Sequence, residues 1–160
     1  MSDRQDLLRR SMDEASIRNT IARFADAATR DDHAMFRTVW AEEGEFVIGQ
    51  APQGHHAKGA DASVALLRRL RAGKVYFVQF ALPGVIEIDG NQATTRTFVH
   101  ESAQGPGETY YRNHCIAFDR LRRAGDGWVF ASRSFQYLWL DTGPFGGHAF
   151  PLFPDAAAAS

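Results

Sequence analysis

Apolar residues in the first part of the chain recur at intervals of three and four, with Ile17, Ile21, Phe24, Ala25 and Ala28 forming one helical stripe. Ser11, Met12, Asp13 and Glu14 fit a capping box, in which hydroxyl and carboxylate satisfy free amides of a first turn, so the helix is expected to begin there and to end near Arg30. Asp31 or Asp32 suits the cap of a second, short helix carrying Met35, Phe36, Val39 and Trp40, with Gly44 as its stop. Residues 45–48 read as a short strand and residues 50–59, with Gly, Pro and two His, as a loop. A third helix is predicted over 61–71, where Val64, Leu67 and Leu70 share a face and Gly73 follows the end.

Beyond that helix the period changes. Residues 75–88 are rich in β-branched and aromatic side chains, and the Pro83-Gly84 pair demands a bulge in one long strand. Asp89-Gly90 signals a hairpin, and further strands are expected over 93–102, 109–121 and 128–140. Three helices followed by long strands define an α+β domain, with the helices on one face of a curved antiparallel sheet that encloses a cone-shaped cavity. Residues 1–154 form the single domain and 155–160 a disordered tail. The Gly- and Pro-rich stretch 141–154, which carries Phe145, Phe150 and Phe153, is expected to fold across the cavity mouth or onto a partner subunit.

Charge and composition narrow the functions open to such a domain. The 160 residues are enough for one core, and 18 Lys+Arg against 19 Asp+Glu leave no electropositive field for nucleic acid. No apolar run reaches the roughly 18 residues of a membrane span. The polar start lacks an export signal, which points to the cytoplasm. Cys115 is the single cysteine, without Cys or His at zinc-finger spacing, so an internal disulfide and structural zinc are not expected. His55-His56 does not make a metal clip, because adjacent residues of an extended segment point apart. The 12 Phe suit the lining of an apolar chamber or simple core filling.

The order of elements, together with three short stretches, resembles the nuclear-transport-factor-2-like superfamily, in its branch of scytalone dehydratase, hexachlorocyclohexane dehydrochlorinase and SnoaL-like proteins. The stretches are 39–47 (VWAEEGEFV), 85–90 (VIEIDG) and 126–133 (DGWVFASR), and the likeness runs over 11–151. It implies a cavity that takes a small hydrophobic substrate, chemistry without a cofactor or metal, and a homodimer or homotrimer formed through the open sheet face. It also implies a histidine–aspartate pair for taking a proton from carbon. In this sequence the aspartate's place falls on Thr29 and the histidine's on Gln79. A hydroxyl and an amide are poor proton acceptors near neutral pH, so that pair cannot operate here.

Another base is therefore sought on the strand over 109–121, where alternate residues share a side. One row is Tyr110, Arg112, His114 and Ile116, the other Tyr111, Asn113, Cys115 and Ala117. The resemblance turns Arg112 and His114 toward the cavity, which makes His114 the candidate acid–base group, Arg112 the partner of developing negative charge and Tyr110 a hydrogen-bond or proton donor. A bulge would swap the rows. Arg133 matches a pocket arginine of the dehydrochlorinase that assists the leaving group. Asp26 lies one turn before Thr29, Glu101 is the cavity-facing choice over His100, and Trp40, Phe46 and Phe77 belong to the apolar wall.

These residues predict a cofactor-independent lyase that removes a proton and expels a leaving group from a small hydrophobic, aromatic substrate. A non-catalytic binder or assembly subunit that has lost the pair is the alternative, and an isomerase or cyclase acting on a polycyclic ketone is a second.

Overall fold

The computed structural model describes residues 3–49 and 54–150. Helix α1 spans Asp3–Arg30 and is 28 residues long, so it begins well before the expected capping box. Nothing in residues 3–10 breaks a helix, and Asp3 and Asp6 complement the dipole of its first turn. Ser11 and Glu14 are interior positions, and Glu14 pairs with Arg10 at 3.4 Å, one turn away, instead of capping. The stripe Ile17, Ile21, Phe24 and Ala28 is buried as expected.

Asp31 takes a left-handed backbone (φ 59°) that ends α1, and the Asp32 carboxylate accepts from the Met35 amide at 2.9 Å to start α2, His33–Thr38. The second helix stops earlier than expected. Trp40 already belongs to strand β1, Trp40–Ile48. Gly44 lies within that strand, where a Cβ would come to 3.0 Å from the carbonyl oxygens of Ala41 and Phe130, so it serves close backbone approach rather than helix termination.

The expected loop over 50–59 contains a four-residue strand, β2, His55–Lys58, antiparallel to β1. Its sequence has little strand character of its own, and its pairing with β1 decides its conformation. Residues 50–53 of that loop lie outside the described residues, as do 151–160, which include Phe153 and the tail over 155–160. Helix α3, Ala60–Arg71, is followed by β3, Tyr76–Asp89, β4, Gln92–Gln104, β5, Tyr110–Ala124, and β6, Gly127–Asp141. Gly90 (φ 57°) turns the β3–β4 hairpin, and the register shifts between Pro83 and Ile86 where a bulge was expected.

The six strands form one curved, unclosed sheet in the order β2-β1-β6-β5-β4-β3. The meander from β3 to β6 is antiparallel, whereas β1 pairs with β6 in parallel, so the sheet is mixed rather than wholly antiparallel. A strand that precedes α3 in the chain can reach the far edge of β6 without a hairpin, and no tight turn then forces antiparallel entry.

The helices pack on one face of the sheet. Phe24 of α1 meets the rings of Phe36, Trp40, Phe46, Phe130 and Phe135 at centroid distances from 4.8 to 6.1 Å. Burying one such side chain contributes about 1.5–3 kcal/mol. At the other end, Asp13 fastens α1 to the β5–β6 hairpin, accepting from both Arg123 terminal nitrogens at 2.7 Å and from the Trp128 indole at 3.1 Å. The opposite sheet face carries no helix among the described residues and exposes Phe80, Leu82, Phe98 and Phe118. No described helix is long and apolar enough to cross a membrane.

Candidate functional site

Alternation along β5 resolves in favour of the second row. Asn113, Cys115 and Ala117 are buried beneath the helices, and Tyr111 lines a cavity there. Arg112 and His114 therefore point to the helix-free face, contrary to the expectation that they line the cavity. Arg112 forms an ion pair with Asp141 at 2.5 Å, and His114 packs its ring at 5.0 Å from His100 and 5.2 Å from Trp139. Both rows mix polar and apolar groups, so the pattern alone does not set their sense. Register against β4 sets it, opposing Tyr111 to Ala103, Asn113 to Glu101 and Cys115 to Val99. Tyr110, at the strand's start, still reaches the cavity rim.

The cavity lies between the sheet, α1 and α3 and has a volume of about 310 Å³, at the low end of small-molecule sites (about 300–1,000 Å³). Phe46, Leu67, Leu70, Phe77 and Tyr137 supply apolar wall, as expected for Phe46 and Phe77. Trp40 is core beneath Phe46, with ring centroids 5.1 Å apart, and does not line the cavity. Asp26 is on the exposed side of α1 and cannot replace the missing carboxylate. The turn from Asp26 to Thr29 is short of a full revolution of the buried stripe, which Ala25 and Ala28 occupy instead.

Thr29 and Gln79 meet: the Gln79 backbone N–H donates to Thr29 Oγ1 at 3.0 Å. The Gln79 side chain turns to β4 and donates from Nε2 to Glu101 Oε1 at 2.6 Å, while Asn113 Nδ2 donates to Glu101 Oε2 at 2.8 Å. Gln79, Glu101 and Asn113 are direct cross-strand neighbours on β3, β4 and β5. A carboxylate clamped by two amides thus sits in the cavity wall beside the place where the resemblance expects a histidine. Each of its oxygens retains acceptor capacity. Gln79 Oε1 is buried without a partner.

Two cations reach the same cavity from the end of α3. Arg71 donates from Nη2 to the Thr29 carbonyl at 3.2 Å and lies over the Phe77 ring at 4.6 Å, and Lys74 lies over the Tyr111 ring at 5.0 Å. Burial pulls the pKa of both below the ordinary range, opposed at Arg71 by the charge of Asp31 and deepened at Lys74 by the nearby Arg71 charge. Burial and the Glu101 charge push the Tyr111 phenol up, and push Tyr137 and Cys115 each to about 12. The two phenols are therefore hydrogen-bond donors at neutral pH, and the thiol is not a nucleophile. His55 also lines the cavity.

Arg133 is fully buried and is absent from the cavity lining. Its guanidinium is packed over the rings of Phe24, Phe130 and Phe135 at 4.4, 4.7 and 5.1 Å, and its Nε is 3.6 Å from Asp119 Oδ1. It supports the wall from behind. Burial raises the Asp119 pKa, while Arg133 and the hydroxyls of Thr95 and Thr97 oppose that rise.

Tyr111 belongs to the alternate row of the strand and His55 to the His55-His56 pair set aside as a metal clip, whereas Tyr137, Arg71 and Lys74 are not among the candidate residues read from the sequence. Basic residues at a helix C-terminus look like ordinary complements of the helix dipole, which masks Arg71 and Lys74. Asn113 was legible only as the alternate row to His114.

A curved sheet backed by helices thus holds an apolar chamber with a few convergent polar groups. A family model of the SnoaL-like domain matches residues 9–134, and the chain belongs to that family, within the nuclear-transport-factor-2-like superfamily. Among solved structures, the hexachlorocyclohexane dehydrochlorinase LinA-type3 from Novosphingobium barchaimii LL02 is similar at a TM-score of 0.77 and 14% identity, covering 91% of this chain and 98% of that one. A scytalone dehydratase-like protein from Novosphingobium aromaticivorans gives 0.74 and 15%, over 88% and 93% of the two chains. An NTF2-like protein with a cystatin-like fold, also from N. aromaticivorans, gives 0.70 and 26%, over 84% and 87%. No curated protein matches the sequence.

Proposed function

We propose that this chain is a cytoplasmic, cofactor-independent lyase acting on a small hydrophobic, aromatic substrate held in the cavity, with Glu101 as its base. The observation that carries this reading is the clamped carboxylate. Gln79 and Asn113 fix both Glu101 oxygens within a largely apolar chamber, on adjacent strands, where a positioned carboxylate can accept a proton from carbon. The C–H bonding pair becomes the π bond of the new double bond, and the leaving group departs from the neighbouring carbon with its own bonding pair. Arg71, Lys74 and the phenols of Tyr111 and Tyr137 line the same space and oppose the negative charge that develops. The eliminations named for the dehydrochlorinase and dehydratase neighbours are of this class.

Glu101→Gln preserves shape and one amide contact while removing the base. Turnover of a substrate found by mass-spectrometric screening of aromatic compounds, haloalkanes and polyketide-like ketones is expected to fall about 10²–10⁴-fold. Undiminished turnover in that variant would remove Glu101 from the mechanism. A second reading, a binder without catalysis, draws on the neutral Thr29–Gln79 contact at the family's dyad places. It expects ligand binding with no product in either protein.

The exposed apolar sheet face, with Phe80, Leu82, Phe98 and Phe118, fits association with a second copy of the chain as a homodimer or homotrimer.

A further inference from the structure

We infer that the ligand of this cavity carries an anionic group, a carboxylate on an aromatic body, seated against Arg71 and Lys74. The inference rests on reading the cavity as the chemical site and adds the class of molecule it takes.

Helix α3 ends in a turn that delivers both cations to one place. Gly73 adopts a left-handed backbone (φ 70°), and the Lys74 amide donates to the Arg71 carbonyl at 3.1 Å. Two positive side chains are thus fixed three residues apart at the wall of an apolar space, where each is destabilised by burial and Lys74 further by Arg71. Arg71 is matched by a carboxylate only at the limit of ion-pair distance. Here the nearest is Asp31, at 3.9 Å from Nε, and it already receives the His33 ring at 3.0 Å.

The guanidinium is nevertheless held still, by the Thr29 carbonyl on Nη2 and by the face of Phe77. Its Nε and Nη1 are buried without hydrogen-bond partners. Buried N–H groups are almost always satisfied, so a fixed guanidinium with two unsatisfied nitrogens is half of a recognition pair. Lys74 Nζ faces the Tyr111 ring and has no carboxylate in ion-pair contact among the described residues.

Glu101 does not cancel the pair. Its two oxygens are engaged by Gln79 and Asn113, and Asp31, 3.9 Å from Arg71 Nε, does not line the chamber, so the two cations meet no free carboxylate inside it. An incoming carboxylate would fill the vacant Arg71 donors. The aromatic body is set by Phe46, Phe77, Tyr111 and Tyr137. A carboxylate next to the carbon that loses its proton would also spread the charge formed there toward the two cations.

The test is isothermal titration of the full chain with 2-naphthoate and with its neutral isostere 2-naphthamide. Naphthoate is expected to bind at least tenfold more tightly, as one charge-assisted contact of about 1.5 kcal/mol or more requires. Lys74→Met should lower naphthoate affinity about tenfold and leave naphthamide unchanged. Arg71→Lys should retain more of the preference than Arg71→Gln, and should Arg71→Gln not fold, Arg71→Lys and Lys74→Met still decide. Glu101→Gln should keep or strengthen the preference, so the loss of turnover that tests the base is read separately. Equal affinities for the two probes, binding of neither, or an unchanged preference in Lys74→Met would overturn the inference.

Discussion

Replacing Asp119 by alanine would leave the Arg133 guanidinium in the core with no opposite charge. Both side chains have no exposed surface and are 3.6 Å apart at their nearest nitrogen and oxygen. None of the three Arg133 nitrogens has a hydrogen-bond partner, so its compensation comes from Asp119 and from the faces of Phe24, Phe130 and Phe135. The ring contacts survive the substitution and the ion pair does not. Breaking a buried pair by removing one partner costs about 3–5 kcal/mol. At about 2–4 °C per kcal/mol for a chain of this size, Tm should fall by about 6–20 °C. Thr95 and Thr97 also lose their carboxylate partner, which places the effect toward the upper end.

The double variant Asp119→Leu/Arg133→Met replaces the pair by apolar groups and is expected to recover most of that loss. Thermal unfolding measures both variants, and 2-naphthoate titration of the double variant separates support of the wall from contact with ligand. A loss below about 1 kcal/mol in Asp119→Ala would show that the pair is not coupled as described. Loss of naphthoate binding in a double variant of unimpaired stability would put Arg133 in the cavity's chemistry after all.

Two further outcomes follow from the helix anchor and the bare sheet face. Asp13 has its pKa held below the ordinary 3.8 chiefly by the Arg123 hydrogen bonds, with Trp128 adding and burial opposing. The folded form then binds the proton less readily than the unfolded form, so this contribution is complete above the unfolded value and is lost as pH falls through the lower, folded one. Asp13→Asn should cost about 2–3 kcal/mol near neutral pH, with the gap to the parent closing as pH falls below 3.8, and a gap constant with pH in chemical unfolding would contradict the pairing. Phe98 is 52% exposed on the helix-free face, so Phe98→Glu should shift light-scattering mass from oligomer to monomer with little change in helix content. An unchanged mass would refute association through this face.

Element types followed from local chemistry in most of the chain. The stripe from Ile17 to Ala28, the Asp32 cap, the turn at Gly90 and the bulge after Pro83 each rest on residues close in sequence, and each is present. Where local signals misled, a competing partner had prevailed. Ser11 and Glu14 have the composition of a cap but lie on a helix that nothing upstream stops. His55–Lys58 has no strand pattern and becomes a strand because β1 offers it an edge.

The candidate site divides in the same way. Gln79, Phe46, Phe77 and Glu101 line the chamber, as element order and strand alternation relative to a family pattern suggest, whereas Thr29 does not line it and meets Gln79 only at the backbone amide. Arg112, His114, Arg133, Trp40 and Asp26 were not placed correctly, since cavity, core and surface are distinguished by which side of an element meets another element.

Periodicity, caps and turns act over a few residues and so make the α+β order readable along the chain, while the resemblance to the superfamily marks Thr29 and Gln79 as neutral groups at its dyad places. Tertiary structure alone decided that β1 runs parallel to β6, that the Tyr111 row rather than the His114 row faces the chamber, and that Arg71 and Lys74 share it with Glu101. A strand offers two faces of equal standing, and only register against its neighbours and the helices laid over one side selects between them.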